Sequence, residues 1–218
     1  MLFRIVRLLF LFIALLCLFI LANKYVKKHK RQLIVLVTIA VLCLDLLGTI
    51  FPFENLFFYF PSPDKAFSYF NTGEIIGKMD GEESTLILYR DDRIDGFCIL
   101  PKYYKGWQFR PFLSYDTVYQ KKLYSQSVNC DIKVYRAKNT TDYYVAVDNW
   151  FVDSPINISD NRGSEFLCIA EESSIEDVNF YSYYTYIEEL NDGYKIKVGD
   201  VSVLISLDDT KLERSESE

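Results

Sequence analysis

Two long apolar runs at the start of the chain, held apart by a strongly basic stretch of ten residues, constrain its folding more than any other feature. Residues 8–22, LLFLFIALLCLFILA, carry no charge. With residues 2–7 added, the run reaches about 20 residues, enough to cross a hydrocarbon core as a helix. Residues 33–51, LIVLVTIAVLCLDLLGTIF, form a second run of similar length. Between them, NKYVKKHKRQ carries five fixed positive charges: Lys24, Lys27, Lys28, Lys30 and Arg31. Lipid tolerates only segments whose backbone is hydrogen-bonded internally. The expected arrangement is therefore a transmembrane helical hairpin over residues 1–51, with helices at about 3–22 and 33–51 and a loop at 23–32. Run one also has the basic start and apolar stretch of a cleaved signal peptide. The basic decade and the second run favour a retained hairpin.

Charge is split along the chain. Residues 1–50 hold seven of the 24 basic residues and one of the 30 acidic ones, a formal +6. The remaining 17 basic and 29 acidic residues give −12. This partition predicts a basic, membrane-inserted part followed by one acidic domain. Its acidity disfavours nucleic acid as a partner. The loop charges outnumber those at the N-terminal tip, so the positive-inside rule places the loop in the cytoplasm. The expected location is the cell membrane, crossed by two helices, with the N-terminus and the acidic domain extracytoplasmic.

Asp45 interrupts the second run. In an antiparallel hairpin turning near residues 27 and 28, it lies at about the depth of residue 10. Arg7 is then one helical turn away, about 4.5 Å along the axis. Ionisable groups inside spanning helices usually pair or face a cavity. An Arg7–Asp45 pair locking the hairpin is the leading reading. Hydration near the interface and contact with a separate membrane protein are the alternatives.

After the hairpin, residues 52–63 form an aromatic linker. Phe51, Phe53, Phe57, Phe58, Tyr59 and Phe60 suit the membrane–water boundary, and Pro52, Pro61 and Pro63 prevent one continuous helix. Ser62 as cap, Pro63 at the first position and Asp64 in the first turn predict a short helix ending near Asn71 and Gly73. From there to residue 207, strands alternate with polar turns. Strands are expected at 74–79, 84–90, 96–102, 129–137, 142–151, 164–170, 178–190, 194–198 and 201–207. Residues 64–207 thus read as an extracytoplasmic, mainly β-domain, an antiparallel sandwich or bent sheet with one or two short helices. Residues 208–218 form a polar tail.

Catalytic chemistry finds little support. The only histidine is His29, in the basic loop, so the β-domain offers no histidine-based nucleophile pair or metal site. Cys98, Cys130 and Cys168 are an odd set in strand contexts and are expected as buried thiols, with one disulfide as the alternative. DDRIDG (91–96) fails two of four positions of a helix–loop–helix calcium loop, with Arg93 at the third and Lys102 at the twelfth. It reads as a hairpin turn. Asp160, Asn161 and Glu165 read as a solvated loop. No carboxylate pair stands out for glycoside hydrolysis. The expectation is a non-enzyme with no cofactor and no metal.

Binding is carried by aromatic strands. Tyr181, Tyr183, Tyr184, Tyr186 and Trp150 could line a face for glycan or peptide. Cross-strand core packing is the competing use of the same residues. The segments PDKAF then GEIIG, LILYRDD before GFCIL and GW, and ISDNRGSEF resemble the extracytoplasmic domains of small membrane proteins of Gram-positive bacteria with no known activity. The resemblance spans about residues 60–170 and implies no functional residue. The function read from the sequence is a membrane-tethered extracytoplasmic binding or interaction module. Besides the bilayer, its expected partner is another membrane protein, a cell-wall component or a peptide. The alternative is an accessory or immunity-type subunit acting through its helices on a partner membrane protein.

Overall fold

The computed structural model describes residues 2–25, 30–50, 59–91, 94–109, 114–124, 128–150, 155–172 and 179–206. The chain divides into two compact units: residues 1–73 with 103–112, and residues 74–102 with 113–218. The described residues are mainly antiparallel β, with three helices.

The first unit contains α1 (Leu2–Tyr25), α2 (Lys30–Ile50) and α3 (Pro63–Phe70). Within α1 the least exposed described positions are Arg7, Leu11, Ala14, Leu15 and Leu18. In α2 they are Ile34, Val37, Thr38 and Val41. Steps of three and four are the seam spacing of two packed helices, and α1 does pack on α2. Gln32 aside, the remaining described side chains are apolar and exposed, with Leu8 at 67%, Phe12 at 65% and Leu36 at 67%. Among the described residues, no helix is long and apolar enough to cross a membrane; side chains of α1 are described for residues 5–20 only. Lys27, Lys28 and His29 lie outside the described residues, as do the side chains of Lys24, Lys30, Arg31 and Asp45. Phe51, Phe53, Phe57 and Phe58 also lie outside them.

Helix α3 forms where its capping signals stand. The Ser62 hydroxyl accepts the Lys65 N–H at 3.3 Å, Pro63 occupies the first turn, and the Asn71 N–H closes on the Phe67 carbonyl at 2.8 Å. Ala66 and Phe67 are buried. The sequence reading assigns α3 and residues 103–112 to the β-domain, whereas both are compact with the helices.

The second unit is a three-layer stack of antiparallel sheets. The first layer orders β1 (Glu74–Asp80), β2 (Ser84–Asp91) and β3 (Ile94–Tyr103). The fourth strand of this sheet, beside β3, is β4 (Gly106–Trp107), whose residues are grouped with the first unit. The middle sheet runs β5-β6-β7-β10-β9, from β5 (Tyr115–Tyr124), β6 (Asn129–Ala137), β7 (Tyr143–Trp150), β9 (Leu167–Glu172) and β10 (Asn179–Ile187). The third orders β12 (Val201–Leu204), β11 (Lys195–Val198) and β8 (Ile158–Asp160).

Period-two alternation sends neighbouring residues of the middle sheet into different cores. Ile132, Val134, Val145 and Val147 pack with Tyr194, Ile196, Val198 and Val203 of the third layer. Tyr135, Ala137, Tyr144 and Ala146 pack with Leu86, Leu88 and Ile99 of the first. A strand buried on both faces has no polar alternate positions, which explains the unbroken YYVAV of β7.

The sequence reading leaves β5 and β8 out. β5 is an outer strand whose Gln120, Lys121, Lys122 and Tyr124 are exposed, so it lacks a buried-strand pattern. Its lysines and its register shift between Thr117 and Tyr119 are common devices against edge-to-edge pairing. β8 has only three residues. β9 begins at Leu167, not at 164.

Candidate binding site

Asp142 stands at the entry to β7, fully buried, and its carboxylate gathers four donors. One carboxylate oxygen accepts the Glu82 N–H at 3.2 Å and the Tyr186 hydroxyl at 3.1 Å. The other accepts the Glu83 N–H at 2.9 Å and the Ser84 hydroxyl at 2.6 Å. Two N–H groups and two hydroxyls compensate the buried charge. The Ser84 oxygen also lies 2.9 Å from the Tyr144 hydroxyl. Gly81 makes the approach feasible: a Cβ there would sit 2.8 Å from the Asp142 carboxyl carbon and 2.9 Å from the Tyr144 hydroxyl.

Beside Asp142 runs a groove of about 550 Å³, lined by Lys78, Met79 and Asp80 of β1, by Ser164–Leu167 before and at the start of β9, and by Thr185 and Tyr186 of β10. Both β1 and β9 end their sheets, so the groove lies beside two outer strands. Such strands can take up an extended segment through main-chain hydrogen bonds. Its rim carries the Lys78–Asp80 ion pair at 3.9 Å and the exposed Glu165. The Thr185 hydroxyl donates to the Glu165 carbonyl at 2.8 Å and ties the rim to β10. Burial, then the Asp142 charge, pushes the Tyr186 hydroxyl up to about 12. It is therefore a neutral donor at physiological pH.

A second polar array crosses the middle sheet. Gln120, Asp131 with Lys133, Asp148 and Ser182 stand on β5, β6, β7 and β10. Asp131 and Asp148 are directly opposed across the ladder, a like-charge pairing that alone destabilises a sheet. Lys133 bridges them at 3.1 Å to each. Burial opposes the Lys133 charge, but the two carboxylates outweigh it and raise its pKa. Gln120 donates to Asp131 at 2.9 Å, and the Ser182 hydroxyl to Asp148 at 2.9 Å. Both carboxylates are thus engaged by the one Lys133 ammonium.

The aromatic candidates do not share one open face. Tyr183 is 4% exposed and lies in the core towards the third layer, with the half-buried Tyr181 packed against it. Tyr184 and Tyr186 pack on the core towards the first layer. Strand alternation divides the four tyrosines, and cross-strand packing takes up most of their surface. Tyr186 alone of the four lines the groove. Trp150 is half-buried at the end of β7, opposite Phe180.

Other expectations fall into place locally. The arms of DDRIDG belong to β2 and β3, and Arg90 holds Asp95 through two 2.6 Å bonds; Asp92 and Arg93 lie outside the described residues. Asp160 accepts from the Arg162 and Ser164 N–H groups and from the Tyr194 hydroxyl. Burial works against its ionisation, but these bonds outweigh it and hold its carboxyl below the usual range. All five cysteines are free thiols. Cys130 is buried, whereas Cys168 is exposed, contrary to the expectation of burial. β9 closes the middle sheet, and a side chain on an outer strand is not flanked on both sides. Among the described residues, no three metal-ligating side chains come together. No protein-family model matches the chain, and no curated protein or solved structure matches it significantly.

Asp142, Lys133 and the Asp131–Asp148 pair escape a reading of the sequence. Their one local signal is a charge inside a strong β run, as in CDIKVYR and YVAVDNW. The partners of Asp142 lie some 44 to 60 positions away.

Proposed function

We propose that this chain is a membrane-tethered binding module. In this reading α1 and α2 cross the bilayer as a hairpin, and the acidic β-unit stands at the outer face and takes an extended ligand in the β1–β9 groove. The observation that carries it is the exposed apolar surface around both helices. A helix apolar on all sides needs either a large protein core or lipid around it, and 24 residues of α1 rise about 36 Å. The groove beside two outer strands supports an extended peptide over a compact ligand.

Cysteine placement supplies the test. Burial pushes the Cys98 thiol up to about 12 and the Cys130 thiol up to about 11, so both resist alkylation. Cys17 and Cys43 would lie in lipid. A membrane-impermeant maleimide on intact cells is expected to label the chain at Cys168, and Cys168→Ser to remove the label. Labelling only after permeabilisation would overturn the outward orientation. A photo-crosslinker at Glu165 is expected to capture a partner in intact cells; recovery of uncrosslinked chain alone would overturn the groove as the binding site.

The Arg7–Asp45 lock belongs to the same reading. Arg7 is 6% exposed in the α1 seam. Position 45 continues the α2 spacing 34, 38, 41. Arg7→Leu is expected to lower the membrane level of the protein several-fold, because removing one partner of a buried pair strands the other charge. Arg7→Leu with Asp45→Leu is expected to restore most of it. An unchanged level in the single variant would sink the pair.

A further inference from the structure

Residues 104–109 follow β3 in sequence and include β4, the fourth strand of its sheet, yet they are grouped with the helices. The attachment is specific. Phe60 and Trp107 exchange backbone hydrogen bonds at 2.9 Å in both directions. Gly106 holds φ +132°, and a Cβ there would collide with the Phe60 carbonyl oxygen, so glycine is required. Aromatic rings brace the base of this turn. Tyr103 meets Tyr59 edge-on at 6.0 Å, and Phe109 stacks on Phe70 at 4.6 Å.

The tip is built differently from its base. Tyr104 is 89% exposed, beside the fully exposed Lys105. The Lys105 ammonium lies 5.2 Å from the Tyr104 ring centroid. An exposed tyrosine and a lysine on an aromatic base match the amphipathic groups that settle at lipid headgroup level, ring among the glycerol esters and ammonium at the phosphates.

We propose that the Tyr104–Lys105 turn is a second membrane-contact point, seated in the headgroup layer of the bilayer that the hairpin crosses. The inference rests on the hairpin reading, and the two can fail separately. The chain has two tryptophans, Trp107 and Trp150, so Trp150→Phe leaves Trp107 as a reporter at the turn. The full chain would be placed in phosphatidylcholine vesicles brominated either near the headgroup or near the chain ends. Headgroup-proximal bromine is expected to quench Trp107 roughly two-fold more than deep bromine. Tyr104→Ser and Lys105→Ser are each expected to weaken that quenching. A companion with Phe12→Trp, Trp107→Phe and Trp150→Phe reports on α1 and is expected to be quenched by deep bromine. Deep quenching at position 12 with none at Trp107 would overturn the contact and leave the hairpin standing. Quenching of Trp107 that neither turn substitution changes would remove the role of the turn. No quenching at either position would overturn the hairpin itself.

Discussion

Asp142→Ala is expected to cost the second unit about 3–5 kcal/mol, since each donor left buried without an acceptor costs about 1–3 kcal/mol. Two main-chain N–H groups from the β1–β2 turn, the Ser84 hydroxyl and the Tyr186 hydroxyl would all lose their acceptor. The cavity left behind adds to the loss. The melting temperature of the full chain in detergent should fall by roughly 8–15 °C, and a urea titration followed by far-ultraviolet circular dichroism would give the free energy directly. Ser84→Ala removes one donor and leaves the carboxylate three others, so its cost should be about 1 kcal/mol. A loss below about 1 kcal/mol for Asp142→Ala would show that the carboxylate does not fasten the β1–β2 turn. The same variant frees the Tyr186 hydroxyl and so loosens one wall of the groove. Reduced crosslinking from Glu165 at temperatures where the unit stays folded would tie that wall to binding.

Alkali should unfold this protein in a single step that releases several tyrosines together. Burial is the leading cause for each of Tyr135, Tyr144, Tyr183, Tyr186 and Tyr194. It pushes Tyr183 and Tyr186 up to about 12 and raises the other three well above the ordinary value. Tyr194 is raised further by donating to the Asp160 carboxylate at 2.9 Å. In the unfolded chain these phenols ionise near pH 10. A group whose folded pKa lies above its unfolded value adds stability that is fully present below the unfolded pKa. That stability drains as pH rises through the folded value. The window therefore opens at about pH 10 and extends past 12. Tyrosinate absorbance should show a steep rise that coincides with loss of circular dichroism. A smooth titration of all tyrosines near pH 10 with the structure intact would contradict the burial described here.

The elements legible in the sequence are those whose residues answer to their own neighbours. Helix α3 could be read because Ser62, Pro63 and Asp64 act within one turn. β6, β7 and β10–β12 could be read because their apolar or aromatic runs end at turn residues. β5 could not, because an outer strand is defined by its neighbour β6 and its exposed lysines carry no burial signal. The four tyrosines of β10 were visible as a group. Their division between two cores depends on a third layer that no local pattern announces. Asp142 reads only as the first residue of the strand 142–151, since the donors that make it a fastening point come from residues 82 to 84 and 186. Grouping 103–112 with the helices was equally hidden, resting on the Phe60–Trp107 bonds.

One consequence follows from the middle sheet facing two cores. Strands β7 and β10 form a common wall, and Tyr183 and Tyr184 are adjacent residues on opposite sides of it. Removing the first layer would bare Tyr144 and Tyr184 to water, and removing the third would bare Val145 and Tyr183. Neither core has a floor of its own, so loss of an outer layer bares one face of the wall the other core rests on. The amides of β7 and β10, flanked by strands on both sides and covered by a core on each face, are expected to be the slowest of the unit to exchange.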